Sequence, residues 1–348
     1  MKELKIFAIL VILSGILYWG IEPYAHTKLH PHTSAADFDY INEDVELAKE
    51  HLNQKQVELT MAELSHDSAK VLSAKVALQS SKEYLDSYES FWGDIKKIDL
   101  NKGDATKGEE IFNNAGCTGC HGMKVAGIES PNDAAGASEA FGVVPPDLST
   151  AGAIYDSEFL AALIKNPPMA LKLSHKFNDE KPFPMPNFAP SSDNENGEIA
   201  DLVAYLKAMS EKYISENNGI SDERLFADAC QRCHDMKYAK LYATSNKALL
   251  AEYLGSTPPD LSMMIRAKNS DNYLVKFIND TQKMLPGTAM PRVGLTDQAT
   301  EQIVGYMEKV GDSKKAERES LGIYIMLYFL VLGIFATLWK RKIWADLH

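Results

Sequence analysis

Cysteine is scarce in this chain. There are four in 348 residues, Cys117, Cys120, Cys230 and Cys233, and all four fall inside two Cys-x-x-Cys-His clusters. None is left over, so no disulfide framework exists outside the clusters, and neither cluster has a second thiol pair nearby to complete a zinc site. Glycine and proline are both absent from Ile41 through Trp92, which excludes a turn-rich segment there. Strand-like alternation of useful length is missing throughout, so the expected fold class is all-α. Basic residues are the minority, 36 against 48 acidic, for a net charge of −12. That balance excludes nucleic acid as a partner.

The apolar residues are unevenly placed. Two uncharged runs lie at the ends, Ile6 to Ile21 and Leu321 to Trp339. At 16 and 19 residues they span most or nearly all of a bilayer core as helices. Lys2 and Lys5 precede the first, and Lys340, Arg341 and Lys342 follow the second. The positive-inside rule then puts both termini in the cytoplasm and everything between outside the inner membrane. The first run is also long enough for a signal peptide. However, Gly20 to Ala25 offers no small-x-small cleavage site, so a retained anchor is expected. The second run is a tail anchor. Setting both ends aside removes five basic and two acidic groups and leaves 31 basic against 46 acidic in residues 22–320, a net of −15. Such a face suits a basic protein partner, or is simply solvated.

Helical spacing of Val45, Leu52, Leu59, Leu72 and Val76 predicts one long helix or, more compactly, a hairpin turning near Ser65-His66-Asp67-Ser68. The remainder repeats itself, from about Asn101 to Tyr213 and from about Ile220 to Asp312. Each copy opens with a short helix ending at its cluster. Each then has Pro-Pro-Asp-Leu-Ser, 28 residues from first cysteine to first proline in both. A Met-Pro pair follows, at Met185 and Met290, and then a closing helix with Tyr205 or Tyr306. The aspartates Asp147 and Asp260 are expected to cap the helices that follow them.

A Cys-x-x-Cys pair serves as half a zinc site, as a redox dithiol, or as the thioether anchor of haem. The histidine directly after the second cysteine decides for haem, with His121 and His234 as iron ligands and two covalently bound haem c groups in all. Methionine is the natural sixth ligand where a site carries electrons. Met185 and Met290 are the candidates, ahead of Met169 and Met284. Arg266 and Lys268, with Arg292 as a further choice, either meet haem propionates or belong to a solvated face. His26, His30 and His32 form a metal site or, more simply, polar loop residues.

The segments "TPPDLSMMIRAK" and "NYLVKF" and the tail "LGIYIMLYFLVLGIFATLWKRK" resemble cytochrome c1, the haem subunit of quinol:cytochrome c oxidoreductase (bc1) complexes. The doubled module and extra N-terminal anchor look like the dihaem subunit that replaces it in some bacteria. The resemblance implies that Cys230, Cys233, His234 and Met290 hold one haem, and Cys117, Cys120, His121 and Met185 the other. The family's propionate-binding residue falls at Lys268, where arginine is more usual, and Arg266 can share that role. It further implies a dimeric inner-membrane complex with cytochrome b and a Rieske iron–sulfur subunit, haem domains in the periplasm, and a soluble cytochrome c or oxidase as acceptor. Quinol chemistry would belong to cytochrome b. The rival readings are a dihaem enzyme with one open iron, an oxidase subunit, and a zinc-binding structural protein.

Overall fold

Aspartate, asparagine and serine begin most of the long helices, because their side chains accept from first-turn amides that have no partner within the helix. The computed structural model describes residues 2–21, 24, 39–177, 180–268 and 273–347. In chain order the helices of eight or more residues are α1 (Lys2–Ile16), α2 (Tyr40–Leu64), α3 (Ser68–Ile95), α4 (Ala105–Asn114), α5 (Ala134–Phe141) and α6 (Ser157–Lys165). After these come α7 (Glu195–Asn217), α8 (Asp222–Ala229), α9 (Lys247–Leu254), α10 (Asp297–Gly311) and α11 (Lys315–Leu347). Asp39 caps α2 through the Asn42 amide at 3.1 Å, Asp104 caps α4 through Thr106 at 2.9 Å, and Ser221 caps α8 through Arg224 at 3.2 Å. Among the described residues there is no strand, only isolated bridges. The fold is all-α, as expected.

The segment without glycine or proline is the α2–α3 hairpin. It turns at Ser65–Asp67, where His66 adopts φ +53° and Asp67 caps α3 through Ala69 at 3.0 Å. The chain divides into two compact units. The first comprises Met1–Pro131, Asp147–Glu216 and Val275–Thr296; the second comprises Asn132–Pro146, Asn217–Leu274 and Asp297–His348.

In the first unit, Tyr88, Phe91, Trp92 and Ile95 of α3 share a core with Phe159 and Leu160 of α6 and Ile199, Leu202, Val203 and Leu206 of α7. Burial of each such side chain stabilises by about 1.5–3 kcal/mol. Helix α4 meets α7 through Phe112 and Tyr205, ring centroids 5.5 Å apart. Gly108 permits that approach, since a Cβ there would lie 2.0 Å from the Asp201 carbonyl oxygen.

The same unit buries four charges together. Asp44 of α2 receives Arg292 Nη1 at 2.8 Å, Lys172 Nζ at 2.8 Å and the Trp92 indole N–H at 3.0 Å. Asp280 receives Lys172 at 2.9 Å and Arg292 Nη2 at 3.1 Å. Two cations and two anions cancel, which is what makes the burial tolerable. Lys172 also holds the left-handed backbone conformation at φ +56°, a strained state kept where surrounding contacts fix the residue.

In the second unit, α8 packs on α10 through Phe226 and Tyr306, centroids 5.5 Å apart, beside buried Leu225, Ile303 and Met307. The Asn246 amide at the start of α9 donates to Ser138 Oγ of α5 at 3.0 Å. Within α11, Lys315–Ala345 is long and apolar enough to cross a membrane, and Lys5–Ile21 is a shorter apolar helix. The histidines His26, His30 and His32 lie outside the described residues, as does the Lys268 side chain.

Arg292→Met is expected to destabilise the protein by about 3–5 kcal/mol, because it strands buried carboxylates. Denaturant titration measures this; a loss under 1 kcal/mol would contradict the cluster's role. Burial alone would raise the Asp280 carboxyl, but Arg292 and Lys172 outweigh it and hold the group below its usual range. Its stabilising contribution is therefore complete above about pH 4 and is lost as pH falls further, through its folded-state value.

Candidate functional site

Each cluster forms one tight turn at the end of a helix. After α4, Gly116 at φ +83° leads into a 3₁₀ turn over Cys117–Gly119. The Cys117 carbonyl accepts from the amides of Cys120 at 3.2 Å and His121 at 3.0 Å. After α8, the Cys230 carbonyl accepts from Cys233 at 3.1 Å and His234 at 2.9 Å. Positions i, i+3 and i+4 of a helical turn share a face. Both cysteines and the histidine of each cluster are thereby held in one short turn.

Pro-Pro-Asp-Leu-Ser clips the exit of each turn, contact for contact. The leucine amides donate to the carbonyl after the histidine, Leu148 to Gly122 at 2.8 Å and Leu261 to Asp235 at 2.9 Å. The serine hydroxyls accept from the amides of Val125 and Tyr238, both at 3.1 Å. The aspartates accept from Lys124 at 3.2 Å and Lys237 at 3.3 Å. A bridge closes the small loop in each copy, Met123 with Ile128 and Met236 with Leu241. This corrects the expected role of Asp147 and Asp260. They cap the 3₁₀ turn after the histidine rather than the following α-helix, since the loop returns to the cluster before any helix begins.

The second proline has a role the sequence did not reveal. His234 Nδ1 lies 2.8 Å from the Pro259 carbonyl oxygen. A carbonyl only accepts, so Nδ1 carries the proton and Nε2 keeps its lone pair. Burial lowers the His234 pKa and outweighs the opposing effect of that hydrogen bond, so the ring is neutral at pH 7, as a metal ligand must be. Burial also raises the Cys117 and Cys233 thiols and pushes Cys230 up to about 12. Such thiols are poor thiolate ligands and poor redox nucleophiles. Among the described residues no three or more His, Cys, Asp or Glu side chains gather as a metal site requires. The donor set fits haem held by two thioethers with an imidazole on the iron.

Of the remaining candidates, Met185 is half-buried in the first unit, which also holds Cys117, Cys120 and His121. Met290 is half-buried within the Val275–Thr296 segment of the first unit, whereas Cys230, Cys233 and His234 belong to the second. Met169 packs against the first unit's core and Met284 ends a short helix. Arg266 is exposed, with Nε 4.0 Å from Asp312. Arg292 is not a propionate residue: it is fully buried and committed to Asp44 and Asp280.

Asp260→Ala is expected to free the Lys237 amide and loosen the clip, a local loss of about 1–3 kcal/mol. Hydrogen exchange over residues 236–241 measures it, with faster exchange predicted and unchanged exchange contradicting the clip.

A family model for cytochrome c matches the chain twice, over residues 105–210 and 223–311, more than half its length. Each match encloses one cluster and its clip; the first reaches into the closing helix α7 and the second takes in the whole of α10. No curated protein and no solved structure matches the chain. With two matched domains and a complete attachment turn in each, the chain belongs to the cytochrome c family and transfers electrons with two covalently bound haem c groups.

Proposed function

We propose that this chain is the dihaem cytochrome c subunit of a quinol:cytochrome c oxidoreductase of the bc1 type. It takes electrons from a Rieske iron–sulfur protein and passes them to a soluble cytochrome c or an oxidase. The observation that carries this reading is a junction. The second cytochrome c domain ends at residue 311, and the apolar helix Lys315–Ala345 follows it at once. That order, domain then tail helix, is the pattern in which this chain resembles cytochrome c1. Lys340, Arg341 and Lys342 at the far end of α11 favour a cytoplasmic C-terminus, which puts the haem domains in the periplasm. Lys2 and Lys5 give the same sense to α1 if it is retained. Cytochrome b and the Rieske subunit are the proposed partners, in a dimeric inner-membrane complex. Arg266 and Lys268 remain proposed propionate partners in the second module.

Bound haem c supplies a one-electron ferric–ferrous couple. The chain supplies everything that makes the couple useful. His121 and His234 provide imidazole ligands, and the clips hold each attachment turn in one geometry, so little has to rearrange when charge changes. Met185 and Met290 are proposed as further ligands, whose soft thioethers would favour the ferrous state. The acidic surface steers a basic protein partner into contact.

Purification of the tagged chain in mild detergent tests the reading. Cytochrome b and an iron–sulfur subunit are expected to be recovered with it. Recovery with terminal-oxidase subunits instead would overturn it.

A further inference from the structure

The two attachment turns are nearly superimposable in their hydrogen bonds, yet differ in charge. Residues 117–131 carry only Lys124 and Glu129, a net of zero. The matched stretch 230–244 carries Arg232, Asp235, Lys237 and Lys240, a net of +2. Most of those charges are accounted for. Asp235 accepts a hydrogen bond from Lys247, and Lys237 lies 4.0 Å from Asp235 and 3.6 Å from Asp260. Lys240 is exposed to solvent, where water and salt screen it.

Arg232 is different. It lies between the two cysteines of the cluster, directly before Cys233, and occupies the position that Gly119 holds in the first copy. It is half-buried, its Nε is buried without a hydrogen-bond partner, and it makes no ion pair among the described residues. A guanidinium keeps its charge at any accessible pH. Two residues after Cys230 and one before Cys233, Arg232 carries that charge on the attachment turn itself, between the two sulfur-bearing residues. The first turn has glycine at the same position and no cation between its cysteines. Burial differs in the same sense, for His234 is buried and His121 only half-buried.

Reduction adds one negative charge at the iron. A fixed cation nearby stabilises the reduced form, and exclusion of water penalises the more highly charged oxidised form. Both effects raise the potential at the second site. We infer that Arg232 is a potential-setting residue that makes the second haem the electron sink of the pair, so that electrons run from the first module to the second. In that transfer one ferrous iron in the first module is oxidised to ferric and one ferric iron in the second is reduced to ferrous, with no proton moved. An upstream one-electron donor refills the first. The inference rests on haem attachment alone and not on the membrane complex proposed above.

Spectropotentiometric titration of the full-length, detergent-solubilised protein tests it, with covalent haem content measured in every variant. The wild type should titrate as two one-electron components. Arg232→Gln should lower only the upper one, shifting electron sharing between the haems by roughly tenfold, about 59 mV. Arg232→Lys, which keeps the charge, should stay near wild type. A Cβ at Gly119 would meet no atom within 4 Å, so the turn has room for the start of a side chain, and Gly119→Arg should fold and raise the lower component by a similar amount. The inference is overturned by a single wild-type component, by Arg232→Gln moving the lower component, or by its moving neither with both haems in place. Should Arg232→Gln lose haem, Gly119→Arg decides alone, and no rise in the lower component overturns the inference.

Discussion

One backbone hydrogen bond recurs at the centre of both modules, from the leucine of Pro-Pro-Asp-Leu-Ser to the carbonyl just after the cluster histidine. A 3₁₀ turn has poor hydrogen-bond geometry and does not persist on its own. The leucine amide, the serine hydroxyl and the aspartate carboxylate together supply the partners that such a turn lacks. Once the turn is clipped, the proline carbonyl of the same motif reaches the ring of His234 and fixes which nitrogen is free. The orientation of the iron ligand therefore depends on a loop 25 residues further along the chain. This also explains why the interval from cysteine to proline is the same in both copies.

The first unit carries a second constraint of another kind. Asp44, Lys172 and the Asp280–Arg292 pair come from three separate stretches, and their charges are satisfied only when all are brought together. Such a cluster adds little net stability over an apolar core of equal volume, but loss of any member is costly. Its effect is to select one arrangement. Met290 lies two residues before Arg292, and the Arg292 amide also donates to the Leu171 carbonyl at 3.1 Å. The segment that carries this proposed ligand is thus tied to the buried charge cluster of its unit.

What the sequence made legible follows from how local each signal is. The hairpin showed itself through 52 residues without glycine or proline, and the turn at Ser65–Asp67 through its polar residues. The clusters, the repeat and the terminal apolar helices were likewise plain, since each is written in adjacent residues or in a repeated interval. The long-range partnerships were not. Arg292 and Asp44 are 248 positions apart, and no periodicity relates them, so a buried arginine looked like a propionate ligand. Nor does composition say that Asn132–Pro146 belongs with the second unit. The clip was half visible: the matched interval signalled a shared constraint, but the aspartate was assigned to the following helix instead of the turn after the histidine.

Each attachment turn holds one haem covalently, and intact-mass spectrometry of the purified chain tests that directly. The wild type should carry the mass of two haem groups, and replacement of Cys117 and Cys120, or of Cys230 and Cys233, by alanine should each remove one. A wild-type mass with no haem adduct, or with a single adduct that survives replacement of either pair, would contradict it.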